Sequence, residues 1–275
     1  MNETQKPFRA LSLGAGVQSS TIAMMMEHGE LAKPDVAIFA DTKAEPKRVY
    51  EWLDWLRARL SFPVHVVQQG DGLTATIEKA CRGLVHVGNP PLFVQGGRGK
   101  LKRGCTRDFK LAPIYREIQR LRDNRKVVQI IGFSFDERQR AANLVKRRKS
   151  YVLGEELPLI DRQMTRRDCL RWMTEHGYPL PPRSACVYCP YRCNLEWRKL
   201  RDTDSQGWAE ACRMDDVMRT SLPAVRQRGS PQQQRCSVHR SCVPLTDVDL
   251  STDLERGQME LPGVGWANCE GMCGV

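Results

Sequence analysis

The sequence predicts an α/β protein, a parallel β-sheet with helices on both faces, followed by a mainly helical, cysteine-rich C-terminal region. Three observations carry that expectation. Short apolar runs alternate with helix-like stretches from Arg9 to Gly132, the pattern of strands joined by crossover helices. A glycine- and serine-rich turn, Ser12-Leu13-Gly14-Ala15-Gly16-Val17-Gln18-Ser19-Ser20, separates the first apolar run from the first helical stretch. Past Pro179 the composition shifts to prolines, cysteines and tryptophan-bearing helical segments.

Arg9 to Leu13 reads as the first strand, and Ser19 to His28 as a helix with Ile22, Met25 and Met26 at helical spacing. Val36 to Ala40 is a second strand. Arg48 to Leu60 places Trp52, Leu53, Trp55 and Leu56 in helical spacing, Val64 to Val67 is a third strand, Leu111 to Leu121 a helix, and Val127 to Gly132 a fourth strand. His86 to Gly104 contains Pro90, Pro91 and Gln95-Gly96-Gly97-Arg98-Gly99, and reads as a mobile loop able to serve as a lid. Thr165 to His176 is a helix with Thr165 as N-cap and Asp168 three residues on, stopped by Gly177. We expect a first domain over residues 1–180 and a cysteine-rich, helical region with a flexible tail over 181–275. Ligands of such sheets sit beyond the carboxyl ends of the strands, where Gly14, Asp41 and Ser134 fall.

A chain of 275 residues has room for one large domain, or for a domain with an appendage. Hydrophobic content of 41% and charged content of 27% are those of a soluble globular protein, and no apolar run approaches the roughly 18 residues that span a bilayer. Met1 to Arg9 is polar and lacks the apolar region of an export signal, so a cytoplasmic location without membrane contact is expected. The 11 cysteines then point to metal, cluster or redox roles in place of disulfides. A net charge of +11 attracts polyanions, or else marks no more than a solvated basic surface.

Ser12 to Ser20 lacks the lysine of the Walker phosphate loop. Aligned by its terminal serine, Gly14-Ala15-Gly16-Val17-Gln18-Ser19 resembles the Ser-Gly-Gly-x-Asp-Ser loop of the PP-loop ATP enzymes, in which the N–H groups of the following helix hold pyrophosphate. Gln18 stands for the usual acid and Ala15 for a glycine, which implies altered magnesium handling. Phe39-Ala40-Asp41-Thr42 resembles the Asp-Thr-Gly segment of the phosphoadenylylsulfate reductase branch of that superfamily. Ile131-Gly132-Phe133-Ser134-Phe135-Asp136-Glu137-Arg138 resembles the branch's Gly-Ile-x-x-Asp-Glu-x-x-Arg segment, unless Asp136 and Glu137 only open a helix and favour its dipole. The resemblance implies a Rossmann-like, adenine nucleotide alpha hydrolase-like sheet that binds ATP with Mg2+. Ser12, Gly14, Ala15, Gly16, Gln18, Ser19 and Ser20 would form the phosphate loop. Asp41 and Thr42 would lie near ribose or adenine, with Asp41 also a catalytic candidate. Gly132, Ser134, Asp136 and Glu137 would complete the site, and Lys110 and Arg138 would contact phosphate.

Cys186-Val187-Tyr188-Cys189, with Cys193 four positions later and the distant Cys105-Thr106-Arg107, offers thiolates suited to zinc or an iron–sulfur cluster. The set resembles the iron–sulfur members of the family, including the DNA phosphorothioation sulfurtransferase, and implies a [4Fe-4S] cluster on Cys105, Cys186, Cys189 and Cys193. Zinc is the alternative, with Cys186 and Cys189 joined by Cys236, His239 or Cys242. Cys269-Glu270-Gly271-Met272-Cys273 is a further dithiol, and the chain end resembles that of phage and bacterial PP-loop proteins. One of its thiols could replace Cys193 on the cluster, Cys269 and Cys273 could act in catalysis as persulfide carriers, or both could be idle. Cys81, Cys169 and Cys212 fall in helical patterns and read as core residues, and His28, His65, His86 and His176 read as structural or surface residues.

Basic residues crowd Arg98 to Lys126 and recur at Lys146, Arg147, Arg148 and Lys149, a supply that suits a phosphodiester backbone or else solvated helix faces. Trp197 and Trp208 are the candidates for base stacking. The expected function is an ATP-dependent, iron–sulfur sulfurtransferase that adenylylates and thiolates DNA or tRNA, supplied with sulfur by a donor such as a cysteine desulfurase, and compatible with a homodimer. The alternatives are a phosphoadenylylsulfate or adenylylsulfate reductase-like enzyme, and a zinc-containing nucleic-acid-binding module.

Overall fold

The computed structural model describes residues 6–85, 90–96, 99–145, 150–221, 235–251 and 255. In chain order the elements are β1 (Phe8–Ser12), α1 (Val17–Glu27), β2 (Val36–Asp41), α2 (Lys47–Arg57), β3 (Val64–Gln68), α3 (Leu73–Cys81), β4 (Phe93–Val94), α4 (Ala112–Leu121), β5 (Val127–Ile131), α5 (Arg138–Val145), β6 (Val152–Glu156), α6 (Pro158–Asp161), α7 (Arg166–Glu175), α8 (Asn194–Thr203), α9 (Ser205–Ser221) and β7 (Cys236–Ser237). A π-helical turn, Arg107–Leu111, leads into α4. The chain divides into two compact units. The first takes Met1–Asp41, Arg48–Gln68 and Leu111–Ser184, and the second takes Thr42–Lys47, Gln69–Lys110 and Ala185–Val275.

The first unit holds the expected parallel sheet, with strands in the order β3-β2-β1-β5-β6. Successive strand residues point to opposite faces, and both faces are covered. Phe8, Ala10, Val36, Ile38, Ala40 and Val127 pack with Ile114 and Ile118 of α4. Leu11, Ala37, Phe39 and Ile130 turn the other way, to Ile22 and Met25 of α1, Trp52 and Leu56 of α2, and Trp172 and Met173 of α7. This two-sided burial explains why β2 reads as an unbroken apolar run from Val36 to Ala40, since all of its residues are buried. A capping box between Thr165 and Asp168 starts α7. The edge strand β6 gives almost no apolar signal, because Gly154 interrupts it and Leu153 is exposed.

The second unit is built around Leu73 and Ile77 of α3, Leu92, Val94 and Phe109, Trp197 and Leu200 of α8, Met214 and Met218 of α9, and Cys236 and Val238. β4 pairs antiparallel with β7. The lid expected over His86 to Gly104 is corrected for its described residues, since Leu92 and Val94 are buried and β4 is a paired strand. The compositional change near residue 180 falls beside the division between Ser184 and Ala185. Two earlier segments also join the second unit, because Ala44, Leu73, Ile77 and Leu92 bury their side chains in its core. Among the described residues no helix is long and apolar enough to cross a membrane.

Candidate functional site

Strand order reverses at β1, with β2 and β3 on one side and β5 and β6 on the other. Loops leaving the carboxyl ends of β1 and β5 therefore part and open a crevice, the place where open parallel sheets take ligands. Residues 13–16 form the β1 loop. Ala15 adopts φ 51°, a left-handed conformation that costs a residue with a Cβ about 1 kcal/mol. The Gly14 N–H donates to Ser19 Oγ at 3.1 Å, folding the loop onto the first turn of α1. Gly16 caps α1 without a side-chain bond, so the first-turn N–H groups and the positive end of the helix dipole are presented at the loop. Gly132 ends the β5 side. A methyl group there would lie 3.0 Å from Ser19 N and 3.2 Å from Ser19 Cα, so glycine is what lets the two loops approach backbone to backbone.

Side chains brace this crevice. Gln18 Nε2 donates to Ser134 Oγ (3.5 Å) and Glu137 Oε2 (3.3 Å), while Gln18 Oε1 accepts from Arg166 Nη1 (3.4 Å). The amide donates to Glu137 and accepts from Arg166, whereas an ionised carboxylate could only accept, which accounts for glutamine at a position where the resembled loop has an acid. Asp136 Oδ2 accepts the Arg166 N–H at 2.9 Å, satisfying an otherwise orphan donor at the start of α7, and also accepts from Ser134 Oγ at 3.4 Å. Glu137 pairs with Arg140. The exposed Arg138 holds its guanidinium 5.1 Å from the centre of the Phe135 ring. Ser12 Oγ accepts from Gln129 Nε2 (3.1 Å). Ser20 is fully buried, and its hydroxyl accepts from Trp52 Nε1 (2.8 Å), tying α1 to α2. Asp41, buried at the end of β2, accepts from the Tyr50 hydroxyl at 2.9 Å. Sequence reasoning missed Arg166. A legible signal existed, because Arg166 and Arg167 put two cations in the first turn of α7, where the helix dipole disfavours them.

The candidate ligand cysteines lie in the second unit. Val187 N–H donates to Ala44 O (2.8 Å), Cys189 N–H to Cys186 O (3.0 Å), and Thr42 Oγ1 lies 3.6 Å from Cys186 Sγ. Lys110 Nζ is 3.0 Å from Glu45 Oε1, and the Glu45 side chain is only 1% exposed. Burial works against the Lys110 charge, but the Glu45 carboxylate and the neighbouring sulfurs outweigh it and raise the lysine's pKa. Burial also pushes the Cys186 thiol far up, with the Glu45 charge adding to it. Cys105 is raised by burial and then by Cys189. A thiol that keeps its proton is a poor ligand and a poor nucleophile.

The metal expectations are overturned. Among the described residues no group of three or more His, Cys, Asp or Glu side chains is placed to hold a metal ion. The [4Fe-4S] cluster expected on Cys105, Cys186, Cys189 and Cys193 therefore lacks a site there, and the iron–sulfur sulfurtransferase acting on DNA or tRNA falls with it. Cys193 is the N-cap of α8, where its backbone N–H donates to Glu196 Oε2 at 3.0 Å. Zinc fails on the same finding. His239 has its ring nitrogens 2.8 Å from Ser241 Oγ and 3.1 Å from Asn194 Oδ1, so both are occupied by hydrogen bonds. The Mg2+ expectation is corrected on the same finding. Trp197 is fully buried and meets Trp208 edge-on at 6.4 Å, so it serves the core and not base stacking. Cys169 is a core residue, its thiol pushed up to about 12 chiefly by burial. Cys269, Cys273, His86, Arg98 and the basic run 146–149 lie outside the described residues.

No family model matches the chain, and no curated protein matches it. Among solved structures, the chain is similar to the phosphate complex of phosphoadenylyl-sulfate (PAPS) reductase from Candida auris, at 14% identity and a TM-score of 0.41, over 64% of this chain and 76% of that one.

Proposed function

We propose that the crevice between the β1 and β5 loops binds the anionic end of an adenine sulfonucleotide, and that the chain reduces this ligand in the manner of phosphoadenylylsulfate and adenylylsulfate reductases. The observation that carries the reading is the loop of residues 13–16, with Ala15 held at φ 51° and Gly16 leaving the N-terminus of α1 without a side-chain cap at the switch point of the sheet. Backbone strain kept at such a place belongs with ligand binding. The Asp41-Thr42 segment at the end of β2 and the Asp136-Glu137 segment after β5 support the same branch of the resemblance.

In the proposed reaction the N–H groups of α1 hold a phosphate or the sulfate, and Arg166 and Arg138 lower the charge at the crevice. The thiolate of Cys269 or Cys273 attacks the sulfate sulfur. The bond between that sulfur and the bridging phosphate oxygen breaks, AMP or its 3′-phosphorylated form leaves with the electron pair, and the cysteine becomes an S-sulfocysteine. The other thiolate then attacks the cysteine sulfur, expels sulfite and closes a disulfide, so two thiols supply the two electrons. An external dithiol restores both thiols.

The test uses the full chain with adenylyl sulfate or its 3′-phosphate, labelled in the sulfate, and dithiothreitol. Sulfite released in equal amount to nucleotide product, and lost when Cys269 and Cys273 are both replaced by serine, supports the reading. No sulfite from either nucleotide overturns the activity, and calorimetric titration of AMP into the protein shows separately whether the crevice binds a nucleotide.

A further inference from the structure

A second charged feature belongs wholly to the second unit. Residues 90–107 and 235–243 contain no Asp or Glu, while their described residues include Lys100, Lys102, Arg103, Arg235 and Arg240, and Arg107 pairs with Asp108 next to it. The fold gathers these segments into one ribbon. Phe93 pairs with Ser237 and Val94 with Cys236, and Lys100 bridges back to Phe93 on the other side. Gln95 N–H donates to Arg235 O (2.9 Å) and Leu101 N–H to Leu92 O (2.8 Å), so the ribbon satisfies much of its own backbone.

Aromatic faces hold two of these cations in place. Lys100 Nζ lies 5.0 Å from the centre of the Phe93 ring and 4.3 Å from that of Tyr191, and the Arg103 guanidinium lies 5.7 Å from the Tyr191 ring. Such contacts steady a cation without neutralising it. Lys100, Lys102, Arg235 and Arg240 are exposed. A cavity of about 510 Å³ opens on the ribbon, lined by Phe93, Gln95, Lys100, Arg240, Ser241 and Cys242 among others, with no carboxylate among the described residues of its lining.

We propose that this ribbon binds a single-stranded nucleic acid, with phosphates on Lys100, Lys102, Arg103 and Arg240 and one unstacked base in the cavity. A mononucleotide needs few positive groups, whereas cations spread along a ribbon match the spaced charges of a phosphodiester chain. The strand is single because a base paired within a duplex does not reach into a cavity, while an unstacked base does and exposes its polar edge to Gln95 and Ser241. The inference stands apart from the sulfonucleotide reading, since it involves none of the crevice residues.

The experiment is fluorescence anisotropy with labelled 12-nucleotide DNA and RNA strands on the full chain. Four phosphate contacts at about 0.7 counterion each give roughly 50-fold weaker binding between 50 and 200 mM salt. K100E and R240E are each expected to weaken binding at 50 mM salt by about tenfold or more, with K100Q and R240Q intermediate and with thermal unfolding unchanged. If a charge reversal unfolds the chain, the glutamine variants carry the test. No binding at 50 mM salt, equal binding by the variants, equal or tighter binding of a blunt duplex, or displacement of the strand by adenylyl sulfate would each overturn the proposal.

Discussion

In the first unit the candidate site is made of backbone: Gly132 lies against Ser19, Ala15 is held left-handed, and the N–H groups of α1 are left to the loop. In the second unit the counterpart is made of buried side chains, with Glu45 on Lys110 and Cys186 beside Thr42. The two kinds of construction respond differently to change. A backbone site tolerates substitution of the side chains around it and fails when main chains are forced apart, whereas a buried ion pair fails when either partner goes. The contrast also bears on chemistry. Amides at a helix start stay available to an anion at any working pH, while the Cys186 and Cys105 thiols are held protonated chiefly by their burial.

The largest expected effect tests the side-chain half of this contrast. Glu45→Ala leaves the Lys110 ammonium without its buried partner, and chemical denaturation should show a loss of about 3 kcal/mol. The double variant Glu45→Ala/Lys110→Met should recover more than half of that loss, because an apolar pair carries no unpaired charge. Equal instability of the single and double variants would mean that packing, not charge, sets the cost. Gly132→Ala tests the backbone half. Its new methyl meets main-chain atoms of Ser19 and Gln18 at 3.0–3.3 Å, which cannot rotate away as a side chain would, so a loss of about 2 kcal/mol is expected together with weaker AMP binding. Unchanged stability would show that the two loops separate readily.

A smaller effect comes from pH, within the first unit. Glu117 of α4 accepts from Arg120 and from His65 Nδ1 on β3, and its pKa falls from 4.5 to about 2, chiefly through the Arg120 bonds. The folded value lies below the unfolded one. Its contribution is therefore complete above about pH 4.5 and is lost as pH falls through about 2, and after solvent screening it amounts to about 1 kcal/mol. Glu117→Gln should flatten the acid limb of the stability profile by that amount and leave the profile above pH 5 parallel to that of the original chain.

The sequence made the sheet of the first unit legible for a physical reason. β1, β2 and β5 bury apolar residues on both faces, and β2 reads as a continuous apolar run from Val36 to Ala40, while Arg9 and Gln129 interrupt β1 and β5. β6 was illegible because an edge strand with Gly154 and an exposed Leu153 has little apolar pattern to display. Cys186-x-x-Cys189 was legible as a pair of thiols, but spacing reports neither burial nor competing bonds. Cys193 serves as a helix cap and His239 spends both ring nitrogens on Ser241 and Asn194, and neither commitment leaves a mark on residue spacing. Segments 42–47 and 69–110 joined the second unit through Ala44, Leu73 and Leu92, long-range contacts that no local pattern encodes.

The smallest effect sharpens the contrast most finely. Ala15 sits at φ 51° with its methyl fully buried, so Ala15→Gly relieves about 1 kcal/mol of backbone strain. The same change gives the unfolded chain more freedom, which costs about 0.4–1 kcal/mol, and it removes one buried methyl, so net stability should stay within about 1 kcal/mol of the original. Binding is the more telling readout. If the strain at Ala15 serves to hold the loop in one conformation, the glycine variant should bind AMP more weakly at nearly unchanged stability, because the loop must then be ordered when the ligand arrives. If affinity and stability both remain as they were, the neighbouring Gly14–Ser19 bond alone fixes the loop, and the backbone at position 15 contributes nothing to the anion site.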